Sequence, residues 1–329
     1  MINQKYNEIN KKQKFNFNYG ILKIYLSFLV VNTHCFNSPS FYIMSYYMCY
    51  KLFVNKNIEK IKQRFQRLLI PYILWPIIIF IFNNLFNYLL KMNLKYDSFN
   101  CLKYQLLTGH CSLPALWFQF DLIFSTFLII IIILLFKKNI EFILINITIF
   151  CYILQYSNIN YKLFMKLISY ERYSFGRFLE VIPFCISGYI LTSLNIIQIL
   201  KKNRIKAIYI FLLISIILRK YTIFTPIYGF GYAGINLHIN SLSIFIISSL
   251  LSSDIIKNKN INNIIKILSS ITPGIYYIHY PIYLYLKNFF LLIKNQTLFG
   301  SIIIYITCTL ISLIGSKLFA NKTLKHLFQ

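Results

Sequence analysis

Eight acidic residues stand against 34 Lys and Arg in this chain of 329 residues, a formal charge of +26. In a soluble protein such a deficit of carboxylates would point to nucleic acid. Here no aromatic-interleaved basic stripe or nucleic-acid motif accompanies the charge, and the basic residues lie mostly between apolar runs. Positive-inside bias and attraction to anionic lipid account for that placement, so no nucleic-acid partner is expected. The seven cysteines lack metal-ligand spacing, and no metal is expected. Cys35, Cys49, Cys151, Cys185 and Cys308 fall in or beside apolar runs and read as small buried residues. No Gly/Ser linker divides the chain, no repeat is visible, and no small-residue cleavage site follows the first apolar run. That run therefore reads as an uncleaved signal anchor. Ile, Asn, Lys and Tyr are abundant throughout, which discounts any argument from Lys abundance alone.

What is present in quantity is apolar surface. Hydrophobic residues make up 57% of the chain and mean hydropathy is +0.60. Several runs reach the roughly 20 residues needed to span hydrocarbon. In the clearest, Ala115 to Phe136, Asp121 is the one charge. A soluble core could not hide so many runs. The expectation is an all-α, polytopic bundle with spans at 20–36, 41–54, 68–90, 115–136, 140–155, 178–194, 205–218, 236–252, 271–292 and 298–319. This divides the chain into an N-terminal tail (1–19), a membrane domain (20–319) and a C-terminal tail (320–329). With the N-terminus inside, inner segments carry 22 Lys and Arg and outer loops 11, which puts both tails in the cytoplasm. Cys101 and Cys111, with His110 adjacent, then share an outer loop, where an oxidising compartment would permit a disulfide.

Ionisable groups inside spans are costly and mark function. The first span holds Lys23 and His34, eleven residues apart. Three turns separate them, so they share a face roughly 16 Å apart along the axis. Lys23 falls near the cytoplasmic side and His34 well toward the other. The bland alternative is that Lys23 snorkels and His34 bonds a neighbouring helix. Arg64 and Arg67 follow at the cytoplasmic border of the third span, at i and i+3 on one face. Two guanidiniums there could grip phosphates, or simply anchor the helix. Asp121 lies in the outer half of the fourth span and Glu180 at the outer start of the sixth; His279 lies within IYYIHYPIY.

These residues carry a resemblance. The Lys23-to-His34 spacing is similar to the Arg/Lys-ten-residues-His motif of the acyltransferase-3 family of integral membrane O-acyltransferases, and Arg64/Arg67 to its RxxR motif. LLIPYILWP (68–76), PALWFQFDLIF (114–124), VIPFCISGYIL (181–191) and TPGIYYIHYPIYL (272–284) resemble further family segments in the same order, from about Tyr19 to the end. Two departures stand out: Tyr46 replaces a family Gly, and Lys23 stands where many relatives carry Arg. With the chain ending soon after its last span, the hydrolase-like domain that some members append is not expected here.

The resemblance implies acyl transfer from acyl-CoA, most often acetyl-CoA, to a hydroxyl of a cell-surface saccharide or lipid-linked glycan, at a bacterial inner membrane. Lys23, Arg64 and Arg67 would hold the donor at the cytoplasmic mouth. His34 would act as general base or acyl carrier, with Asp121 or Glu180 orienting it; His279 is a further candidate. The competing expectations are a multi-span transporter or flippase of lipid-linked saccharides, and a degenerate family member acting as regulator or scaffold. The acceptor, the acyl group and the oligomeric state are left open by the sequence.

Overall fold

The computed structural model describes residues 17–33, 39–54, 58–91, 98–108, 116–136, 139–156, 175–220, 234–251, 258–287, 290, 293, 297–319 and 327–328. Among these residues there are twelve helices and no strand. They are α1 (Phe17–Thr33), α2 (Pro39–Val54), α3 (Ile58–Leu90), α4 (Phe99–Thr108), α5 (Leu116–Leu135), α6 (Ile140–Tyr156), α7 (Phe175–Ser193), α8 (Ile196–Lys201), α9 (Arg204–Lys220), α10 (Ile235–Leu250), α11 (Lys259–Leu286) and α12 (Leu298–Leu318). Each of the ten expected spans overlaps one helix, and only the short α4 and α8 fall outside them. Helices are what lipid demands, since hydrocarbon leaves no outside partner for backbone N–H and C=O groups. Three stretches (Ile58–Leu89, Phe118–Leu135 and Leu298–Leu318) are long and apolar enough to cross a membrane alone, and four shorter apolar helices accompany them.

Two helices extend beyond their apolar runs. The third begins at Ile58, ten residues before the expected span, because Glu, Lys, Gln and Arg in IEKIKQRFQR are good helix formers. The ninth expected span, 271–292, proves to be a helix over Lys259–Leu286. Its start is set by Asn258, whose side chain accepts from the backbone N–H groups of Asn260 and Ile261 at 2.9 and 3.5 Å. Hydropathy registers where lipid begins, and helix geometry registers where hydrogen bonding begins; the two differ wherever a helix projects into water.

The outside of the bundle is apolar, and polar side chains are buried within its apolar core. Ile81, Leu89, Leu134, Phe142, Tyr209 and Ile216 are exposed, whereas Gln105, Gln119, Asp121, Ser125, Thr126, Glu180 and His238 are buried. That inversion suits a chain solvated by lipid. Two apolar clusters organise the core. One joins the first half of α1 to α2, α5, α6, α7 and α10; the other joins Val30 and Val31 of α1 to α3, α11 and α12. The helix carrying Lys23 thus belongs to both.

The tightest pairing is α2 against α7, and Gly188 permits it. A Cβ added at Gly188 would sit 2.2 Å from the Ile43 carbonyl oxygen. The close approach that relatives are expected to obtain from a Gly at position 46 is therefore supplied here from the facing helix. Leu327 and Phe328 of the expected C-terminal tail are buried. The Trp75 indole N–H donates to the Leu327 carbonyl at 3.2 Å, and the Phe328 ring lies 5.6 Å from the Trp75 ring.

Candidate functional site

Arg64 and Arg67 sit on one turn of α3 but meet different surroundings. Arg67 is exposed, while Arg64 is 8% exposed and turned into the bundle. Its Nε donates to Thr126 Oγ1 at 3.2 Å, Nη1 to Cys49 Sγ at 2.7 Å, and Nη2 to Ser45 Oγ at 3.2 Å. The guanidinium also lies 5.0 Å from the centre of the Tyr46 ring and 5.8 Å from that of Phe53. Hydrogen bonds and ring faces together offset the cost of burying the charge. Lys23, half-buried on α1, lies within electrostatic reach of Arg67 and of Cys49. The two motifs thus converge: Lys23, Arg64 and Arg67 form one cationic cluster at the end of the bundle where α1 and α3 begin.

The turn bearing Arg67 is held from α5. Pro71 has no N–H to offer the carbonyl four residues earlier, that of Arg67. The buried Gln119 Nε2 donates instead, to the Leu68 carbonyl at 2.7 Å and the Arg67 carbonyl at 3.4 Å. The same device recurs in α7, where Pro183 frees the Leu179 carbonyl and Gln155 Nε2 of α6 donates to it at 3.3 Å. Neither glutamine stands out in the sequence, although a proline within an apolar run announces that its i−4 carbonyl needs a partner.

From Arg64 a polar ladder climbs α5. Tyr46 Oη lies 2.7 Å from Ser125 Oγ and 3.0 Å from Thr126 Oγ1. Ser125 Oγ donates to the Asp121 carbonyl at 2.6 Å, and the Asp121 carboxylate accepts from Tyr42 Oη at 3.2 Å. Asp121 is fully buried, five residues before Thr126 on α5 and so about 7.5 Å from the level of the Arg64 contact toward the helix start. Tyr46 is therefore a member of this ladder rather than a gap in the motif.

His34 lies outside the described residues. The helix that leads to it ends at Thr33, with Val30 and Val31 buried in one cluster with Leu116 and with Tyr276, Tyr277 and Ile278 of α11. His279 follows on that turn of α11, buried, its Nδ1–H donating to the Tyr276 carbonyl at 2.6 Å. The Tyr276 ring packs at a tilt against Phe118, and Phe118 against Tyr42, at 5.2 and 4.4 Å between ring centres. An aromatic wall therefore joins His279 to the Tyr42–Asp121 pair. Beside the end of α1 a small recess, with room for about one water molecule, is lined by Asn32, Tyr283 and Ser301, among others. Glu180 is not part of this group. It is buried on the face of α7 that also carries Phe184 and Ser187, toward α10.

His238 of α10 did not stand out in sequence, though it meets the same criterion as His34: an imidazole inside a span. It is buried, 4.8 Å from the Phe184 ring, with Nδ1 against Tyr152 Oη of α6 and Nε2 2.7 Å from Ser187 Oγ of α7. Its partners come from two other helices, so no spacing reveals them. Cys101 is disulfide-bonded, while Cys49, Cys151, Cys185 and Cys308 are free thiols. No group of His, Cys, Asp and Glu among the described residues could hold a metal ion.

Comparison with known families matches residues 13–320, nearly the whole chain, to a family model described as an acyltransferase domain. No curated protein and no solved structure matches the chain.

Proposed function

Since the chain belongs to the acyltransferase-3 family and is a membrane acyltransferase of the kind that transfers groups other than aminoacyl groups, we propose that it moves an acetyl group from acetyl-CoA to a hydroxyl of a saccharide or lipid-linked glycan. The observation that carries this reading is the gathering of buried Arg64, half-buried Lys23 and exposed Arg67 beside Cys49, with Asp121 about a turn and a half along α5 from the Arg64 contact. Arg67 and Lys23 hold the donor phosphates. Arg64, turned inward, positions them through its fixed charge and its hold on α2 and α5. An exposed Arg beside a half-buried Lys suits an anion arriving from water.

His34 is the general base in this reading. It withdraws the proton of the acceptor hydroxyl as oxygen attacks the thioester carbonyl, and the proton passes to the leaving CoA thiolate. An imidazole titrating near neutrality suits the role. Asp121, oriented by Tyr42, lends its negative charge to the imidazolium. The membrane is a bacterial inner membrane with both termini cytoplasmic. The test is transfer in proteoliposomes with matched amounts of wild type and His34→Gln, which keeps hydrogen bonding without a titrating proton. The expected loss is about two to four decades in turnover with CoA affinity preserved. Near wild-type turnover would refute the mechanism.

A further inference from the structure

The mechanism above leaves one reactive arrangement unused. Ser187 Oγ lies 2.7 Å from His238 Nε2, and the opposite ring nitrogen bonds Tyr152 Oη. A hydroxyl, a base within hydrogen-bond reach and a third group holding the base form the arrangement that activates a nucleophile. Three helices must cooperate to build it, since Tyr152 comes from α6, Ser187 from α7 and His238 from α10. Phe184 packs its ring 4.8 Å from the imidazole and limits its rotation. Ser187 and Tyr152 are half-buried, so the hydroxyl is not sealed in the core.

Position favours a role in transfer. Thr192 Oγ1 donates to the Tyr47 carbonyl at 3.1 Å, which ties α7 to α2 beside Cys49 at the level of the cationic cluster. Ser187 is five residues earlier on α7, about 7.5 Å along its axis toward the opposite end. It lies on the face of α7 away from Cys185, whose thiol reaches Ser125 Oγ at 3.5 Å within the Arg64 ladder. Glu180 shares the face of Ser187, two turns nearer the helix start. A serine ester there would lie on the α6–α10 side of α7, about 7.5 Å along the axis from the level of the cationic cluster.

We propose that Ser187 is a nucleophile activated by His238, able to carry the acyl group as a serine ester between thioester donor and acceptor hydroxyl. This rests on the acyl-CoA reading for its donor, and it replaces the direct, His34-assisted attack of the acceptor on the thioester with two successive transfers through Ser187. In the first step Ser187 Oγ bonds the thioester carbonyl carbon, the Oγ proton moves to His238 Nε2, the C–S bond breaks, and the thiolate takes that proton. In the second the acceptor oxygen bonds the same carbon, its proton returns through Nε2, and the C–Oγ bond breaks to restore Ser187. Tyr152 is a positioning residue.

A fluorophosphonate probe tests the pair whatever the donor proves to be. Its P–F bond breaks as Oγ–P forms, and the adduct is located by peptide mass spectrometry. Purified full-length protein in proteoliposomes should be phosphonylated at Ser187, not in Ser187→Ala, and about a hundredfold or more slowly in His238→Gln. Tyr152→Phe should slow labelling less, while leaving the melting temperature within a few degrees. Acetyl-CoA without acceptor should leave an acetyl group on the same serine. If Ser187 stays unlabelled by both reagents in protein that still transfers acyl groups, this inference falls and the donor reading stands. If the probe labels Ser187 but acetyl-CoA neither binds nor acylates, the nucleophile stands and the donor reading falls.

Discussion

Arg64 and Arg67 differ by one turn, yet the structure separates their roles, and a pair of substitutions measures the difference. Arg64→Ala removes three hydrogen bonds and two ring contacts from a buried guanidinium. A hydrogen bond to a charged group contributes about 1.5–3 kcal/mol when its partner is left stranded. Thr126 Oγ1 already donates to the Leu122 carbonyl at 2.6 Å, so part of each bond is recovered elsewhere. Counting about 1 kcal/mol for each of the three bonds and about 1 kcal/mol for the ring faces gives roughly 4 kcal/mol. Arg64→Lys should recover at most half, since a point charge cannot reach three acceptors at once. Arg67→Ala should leave stability within about 0.5 kcal/mol, as for exposed substitutions generally. It should instead weaken CoA binding by about 1.5–3 kcal/mol, a factor of roughly ten to a hundred. Denaturant unfolding in detergent and equilibrium CoA binding, run on both variants, read the two effects separately. An Arg64→Ala protein as stable as wild type, or an Arg67→Ala protein that loses stability instead of CoA affinity, would refute the division.

Gln119→Leu removes the donor to the Arg67 carbonyl, which Pro71 leaves without a helical partner, and to the Leu68 carbonyl beside it; it should cost about 1–3 kcal/mol in unfolding and weaken CoA binding through displacement of Arg67. Unaltered CoA affinity in a destabilised Gln119→Leu protein would mean that the turn is held without it. Reporter fusions at Asn3 and Gln329 should both read as cytoplasmic, and a periplasmic signal at either would overturn the placement of Arg67 on the CoA side.

Hydropathy and run length alone determine that this is a multi-span helical protein, because burial in hydrocarbon is a property of composition and leaves the backbone one way to satisfy itself. The spacing of Lys23 to His34 and of Arg64 to Arg67 is equally legible, since it lies along single helices whose period is known. What spacing could not tell is which way each side chain turns. Arg64 enters the core and Arg67 does not, because the contents of the interior are set by Ser45, Cys49 and Thr126 on other helices. Tyr46, a departure when read along the chain, becomes a rung between Arg64 and Asp121 because α5 offers it two hydroxyls. Gln119 and Gln155 acquire their purpose only where a neighbouring helix carries a proline at the matching height. Ser187, His238 and Tyr152 form a group only after α6, α7 and α10 have packed. That last group depends on contacts between residues 51 and 86 positions apart, and no one-dimensional period relates them.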